Sequence, residues 1–182
     1  MTIATIRNTF IAASFMLVAL LPPAHAQTTK VITEYLMTYR GELAQPYKID
    51  DSLMIFNVRS PGGWARGPKI NATFIPPGGD WMRVLPSGAM RLDVRATLKT
   101  DDGALIYMTY NGVMQLAPEL AQKLMGGVLL KADDMPGFVA APTFETSSPK
   151  YAWLNGVQAV SKMVEVKLGD DGYVQYDVFI VR

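Results

Sequence analysis

Between residues 90 and 99 every second position is apolar: Met90, Leu92, Val94, Ala96 and Leu98 alternate with Arg91, Asp93, Arg95, Thr97 and Lys99. A period of two puts the two sets on opposite faces of a strand, a pattern no helix can satisfy. Turn residues frame it. Pro86-Ser87-Gly88 precedes it, and Asp101-Asp102-Gly103 leads into a second strand at 105–114. Such residues tolerate the backbone angles of tight hairpins. Gly169-Asp170-Asp171-Gly172 likewise separates an apolar stretch at 157–168 from 173–181, where Val174, Tyr176, Val178 and Ile180 share a face. Further strands are expected at 31–43, 54–60, 69–75 and 81–85. One short helix is expected at 118–125, with Pro118 at its first position, Leu120, Leu124 and Met125 as its apolar stripe, and Gly126-Gly127 as its stop. Eight to ten short strands predict an all-β domain. A small antiparallel barrel is preferred to a sandwich, because closure removes exposed edges and leaves a lumen for a ligand.

Residues 1–26 read as a secretory signal peptide: Arg7 near the start, an apolar run at 10–21, and the small-x-small ending Ala24-His25-Ala26. The run is too short to span a bilayer core of about 30 Å comfortably. The expectation is cleavage near Ala26, a periplasmic or secreted product without a membrane anchor, and one domain at 27–182. The sole histidine, His25, leaves with the leader, and the chain has no cysteine. Such a mature chain has no imidazole proton shuttle, thiol nucleophile, disulfide or Cys/His zinc site. The chain carries 17 Lys+Arg against 16 Asp+Glu, and losing Arg7 brings the balance to zero. A neutral chain argues against a nucleic-acid partner. The acidic pairs Asp101-Asp102 and Asp170-Asp171 suit turns better than calcium loops, so no metal is expected. The methionines scatter along the sequence, which fits core filling better than metal or haem ligation.

Three stretches hold the residue types from which a site can be built. In 62–81, two glycine pairs, Gly62-Gly63 and Gly78-Gly79, precede Asp80 and Trp81. Consecutive glycines permit close backbone approach or a sharp corner, and a carboxylate beside an aromatic wall can acquire a raised pKa and act as acid or base. The alternative is that the glycines are barrel corners and Asp80 accepts turn hydrogen bonds. In 144–155, Glu145, Tyr151, Trp153 and Asn155 combine a carboxylate, a phenol, an indole and an amide, the mixture that small-ligand pockets use. On the central hairpin, Arg91, Asp93 and Arg95 share one face and Tyr107, Thr109 and Asn111 share a face of the next strand. If lumenal, they form an anion-binding or proton-relay group; if exterior, the default, they form a solvated charge ladder.

Taken in order, Gly67, Pro76-Pro77-Gly78-Gly79-Asp80-Trp81, Asp93, Thr100-x-Asp102-Gly103, Gly112, Phe144-Glu145-Thr146 and Tyr151-x-Trp153-Leu154-Asn155 resemble the DUF3237 family, also called UPF0311. Asn71 stands where a glycine is usual, Arg95 where an aromatic is common, and the segment 118–135 is longer than expected. The resemblance implies a small β-barrel of calycin-like architecture and leaves the function open, since one barrel fold hosts both binders and enzymes.

The leading functional expectation is therefore a barrel that binds a small apolar or aromatic molecule without a cofactor, through Trp81, Arg91, Asp93, Tyr107, Trp153 and Asn155. The alternative is a cofactor-free isomerase, cyclase or lyase using Asp80, Glu145 and Tyr151 for acid–base chemistry. That alternative requires a carboxylate and a second polar group to converge on one cavity. Whether the chain forms homo-oligomers is open.

Overall fold

The computed structural model describes residues 30–182, so the expected signal peptide lies outside the described residues. The alternation and turns produce strands β1 (Thr33–Leu43), β2 (Tyr47–Lys48), β3 (Leu53–Arg66), β4 (Asn71–Val84), β5 (Met90–Thr100) and β6 (Leu105–Met114). Helix α1 (Pro118–Met125) and the short strands β7 (Leu130–Lys131), β8 (Val139–Ala140) and β9 (Thr143–Glu145) follow. The long strands β10 (Ala159–Lys167) and β11 (Tyr173–Val181) end the chain. Hydrogen-bonded neighbours run β1-β11-β10-β8-β6-β5-β4-β3, and β3 pairs back to β1. The result is a closed antiparallel barrel of eight strands, as the sequence predicts.

Two expected strands on either side of the Pro-Gly run are one. The segments 69–75 and 81–85 merge into β4, and Pro76-Pro77-Gly78 lies inside it. The β4–β5 register passes from Ile75↔Thr97 to Gly79↔Arg95, so these residues bulge out of the ladder. A proline in a bulge costs no ladder hydrogen bond, which is why the strand survives it. The facing part of β3 bends around Gly62 and Gly63. Gly63 has φ +98°, and a Cβ there would lie 2.0 Å from the Arg40 carbonyl oxygen, so only glycine fits.

The wall is uneven. β5 and β6 pair continuously from Met90↔Met114 to Lys99↔Leu105. Between β6 and β10, by contrast, the ladder is stitched by short pieces. β8 bridges the two strands at Ala140 and Val139, β9 pairs only with β6, and β7 only with β10. The 115–158 connection that supplies these pieces also supplies α1. That helix has Pro118 in its first turn, and the Gly126 amide binds the Gln122 carbonyl at its end. Leu124 is its one fully buried side chain.

Inside, Met90, Leu92, Val94, Ala96 and Leu98 are buried, which settles the orientation of β5: the apolar set lines the lumen. The end beside the β5–β6 turn is filled by Ile70, Leu98, Ile106, Phe144 and Leu154. Asp102 fastens a loop over that end. It accepts hydrogen bonds from Lys150 Nζ at 2.5 Å, Thr100 Oγ1 at 2.5 Å and the Tyr151 hydroxyl at 3.3 Å. The Lys150 hydrogen bond, foremost, holds the Asp102 carboxyl down at about 2. A depressed carboxylate stabilises the fold above its ordinary pKa of 3.8 and loses that contribution as pH falls through about 2. Asp102→Asn is therefore expected to lower the melting temperature at pH 5 and to flatten its decline between pH 4 and 2. Melting curves across that range that run parallel to wild type would contradict this.

Candidate functional site

The opposite end of the barrel is not filled. A cavity of about 70 Å³ opens there, bordered by Phe56, Met82, Met90, Met114, Leu124, Val166 and Leu168 toward the mouth and by Tyr39, Asp80, Tyr110 and Tyr176 deeper in. Its only ionisable carboxyl is Asp80, and none of its lining residues is Lys or Arg. The methionines, scattered in sequence, come together here: Met82, Met90, Met108, Met114, Met125 and Met163 all border the cavity. Core filling still describes them, but barrel closure concentrates flexible, polarisable side chains around one space.

Asp80 reaches the lumen by strand parity. It shares the inward face of β4 with Ala72, Phe74 and Met82. Gly79, just before it, lets β4 press against β3, for a Cβ there would lie 2.6 Å from the Phe56 carbonyl oxygen. The carboxylate accepts one hydrogen bond, from the Asp93 backbone N–H at 3.0 Å. Its side chain is partly exposed and lines the cavity. Burial in this apolar setting disfavours the charged form and pushes its pKa from 3.8 up to about 7, against the opposing pull of the Asp93 N–H. A carboxyl poised there exchanges protons readily at neutral pH.

Around it stand three phenols from strands far apart in sequence. Tyr39 and Tyr176 are cross-strand partners on β1 and β11, with ring centroids 5.1 Å apart, and the Tyr110 ring lies 5.8 Å from that of Tyr176. Burial raises the pKa of all three, so they are neutral hydrogen-bond donors. The Tyr39 hydroxyl is buried without a hydrogen-bond partner among the described residues; that of Tyr110 lies near but outside bonding geometry. An unsatisfied buried hydroxyl costs about 1–3 kcal/mol. Tyr39→Phe is therefore expected to stabilise the protein by about 1 kcal/mol in urea unfolding while weakening whatever the lumen holds. A destabilised variant would show that the hydroxyl has a partner in the folded protein.

Of the candidate site residues named from the sequence, Asp80 alone lines the lumen. The charged set of β5 is exterior. Arg95 pairs with Asp93 at 3.3 Å with both side chains about half exposed, and the Arg95 guanidinium lies 5.3 Å from the centre of the Trp81 ring. Arg91 is on that same outer face, and Tyr107 faces outward on β6, where Ile106, Met108 and Tyr110 are the buried set. Glu145 is exposed on β9. Asn155 clamps its own loop, accepting from the Thr146 N–H at 2.8 Å and donating to the Thr146 carbonyl at 2.9 Å. Tyr151 binds Asp102, and Trp153 borders a surface groove with Lys69, 5.6 Å from the Trp153 ring centre. Glu145 and Tyr151 therefore do not converge with Asp80. Convergence is met instead by Tyr39, Tyr110 and Tyr176, which the sequence reading passes over except for noting the shared face of Tyr176. Their signal is a phenol at an inward position of an otherwise aliphatic strand. Among the described residues no group of three acidic, His or Cys side chains gathers as a metal site.

Known proteins share this architecture. A conserved protein of unknown function from Rhodopseudomonas palustris superposes with a TM-score of 0.76 at 26% identity, covering 85% of this chain and 99% of that one. A β-barrel-like protein from Acinetobacter baumannii superposes at 0.66 with 29% identity, covering 86% and 99%. A UPF0311 protein of Clostridium acetobutylicum is 35% identical over 92 residues, a stretch that spans 50% of this chain and 58% of that relative's length. The family model described as protein of unknown function (DUF3237) matches residues 32–181. With nearly all of the barrel inside that match, the chain belongs to the DUF3237 family.

Proposed function

We propose that the lumen is a cofactor-free acid–base site for a small, neutral, largely apolar molecule. The observation that carries this reading is a lone carboxyl buried beside three neutral phenols in a cavity with no cation to pair it. Burying a carboxylate unpaired costs stability and contributes nothing to packing, so its presence points to use. The ionised Asp80 takes a proton from carbon or oxygen of the bound molecule. The electron pair left behind moves onto a substrate oxygen, and the tyrosine hydroxyls donate to the charge that grows there. Returning the proton to another atom of the same molecule completes an isomerisation or a ring closure. An anionic substrate would meet no counter-charge, which favours neutral ones. The leader-like residues 1–26 support placing this activity in the periplasm or outside the cell.

Binding without chemistry is the second reading, favoured by the methionine-rich wall. An engineered apolar cavity that takes benzene measures about 150 Å³, so a space of about 70 Å³ admits a ring only if side chains move. Two assays separate the readings. Neutral ketones and phenols are first screened by thermal shift, and those that bind are followed by NMR in D₂O for exchange of carbon-bound hydrogen. The acid–base reading expects exchange catalysed by wild type, rising with pH through about 7 and absent in Asp80→Asn. Binders whose hydrogens exchange no faster than in buffer would leave the binding reading alone standing.

A further inference from the structure

The β-ladders align a row of outward side chains across five strands. Leu53 faces Arg83, Arg83 faces Arg91, Arg91 faces Val113, and Val113 faces Val139. Two guanidinium chains therefore stand directly opposite one another, which disfavours the strand pair unless an anion sits between them. Among the described residues neither Arg83 nor Arg91 has an ion-pair partner, whereas Arg40, Arg59, Arg95 and Arg182 each have one. The nearby carboxylates are committed elsewhere. Asp93 pairs with Arg95. Asp50, within electrostatic reach of Arg83, accepts from the Ser52 and Leu53 N–H groups at 2.6 and 2.8 Å.

Arg91 also lies where two shallow surface grooves meet. One, of about 550 Å³, is bordered by Trp81, Arg83, Arg95 and Asn111. The other, of about 470 Å³, has Val113 and Val139 on its walls and is also bordered by Gly112 and Gly137. Val113 and Val139 are 48% and 46% exposed, an apolar pair left in water beside unpaired cations. The sheet separates this surface from the lumen, because neighbouring residues such as Arg91 and Leu92 point to opposite faces.

We propose that this outer face binds a small organic acid. Its carboxylate lies between Arg83 and Arg91 with the Asn111 amide beside it, and its apolar body covers Val113 and Val139. Guanidinium forks match a carboxylate in geometry and charge, and covering the valine pair removes apolar surface from water. The proposal is independent of the lumenal chemistry, since its occupant never meets Asp80.

The test is an amide NMR titration of the protein with hexanoate, hexanamide and inorganic phosphate, each at low and high salt. Hexanoate is expected to shift the amides of Arg83, Arg91, Asn111 and Val113, with an affinity at least fivefold lower in Arg83→Gln and in Arg91→Gln. High salt should weaken it further, and hexanamide should leave those amides unmoved. Lys99→Gln, which removes a cation at the far end of β5 with no ion-pair partner among the described residues, should bind as wild type does. Shifts confined to the lumenal residues Met108 and Tyr110, or unchanged affinity in both arginine variants, would overturn the site. Phosphate binding as tightly as hexanoate would overturn the role of the valines.

Discussion

Replacing Asp80 with asparagine is expected to make the protein more stable at pH 8 while abolishing proton transfer in the lumen. The sign follows from the raised pKa. Below the ordinary value of 3.8 the carboxyl is protonated in both folded and unfolded chains and costs nothing. Between 3.8 and about 7 the folded protein holds a proton that the unfolded chain has released, so stability falls as pH rises. Above 7 the full cost of burying the charge is in place. A displacement of about three pH units corresponds to roughly 4 kcal/mol. The carboxamide oxygen can still accept from the Asp93 N–H, so the variant sheds the charge without orphaning that donor. Urea unfolding at pH 4, 6 and 8 should show the variant gaining little at pH 4 and up to about 4 kcal/mol at pH 8. Equal pH slopes for the two proteins would show that Asp80 is not buried as an acid.

The second large effect is expected at Leu124. It is 2% exposed, closes the mouth of the cavity, and is the one fully buried side chain of α1. Truncating a buried leucine to alanine costs about 2–5 kcal/mol. Here the loss has a local outlet, because an eight-residue helix that ends at Gly126-Gly127 is marginal without its packing. In Leu124→Ala, amide exchange across residues 121–125 should therefore accelerate far more than exchange in β5 or β6. An apolar dye should also gain access to the lumen. Equal loss of protection in the helix and in the long strands would mean that α1 is an integral part of the barrel rather than its cover.

Much of the barrel was legible because its signals are local. Alternation in 90–99 and glycine turns at 103 and 169 define hairpins without reference to the rest of the chain, and Pro118 and Gly126 mark the helix ends. The Pro-Gly run of β4 misleads because a bulge excuses prolines from the ladder, a circumstance decided by the partner strand. Asp80 was legible as a constrained carboxylate, but its tyrosines were not. Tyr39, Tyr110 and Tyr176 meet only because β1, β6 and β11 are brought around one axis. The reverse holds for Tyr151, Trp153 and Asn155. Their mixture of phenol, indole and amide suits a pocket, yet hydrogen bonds to Asp102 and Thr146 consume much of it in holding a loop. Composition alone does not distinguish a group that waits for a ligand from one already engaged.

The stitched wall between β6 and β10 bears on how such a barrel can diversify. Asp80 rides on β4, flanked by long ladders to β3 and β5, on the side of the circuit away from the short strands. The 115–158 connection can therefore lengthen, shorten or change its apolar residues at little cost to the placement of the acid. It brings α1, Leu124 and Met125 to the mouth, so such edits would alter which molecules pass inward. Selection of the guest and the handling of its proton are thereby assigned to different stretches of one chain, free to change at different rates.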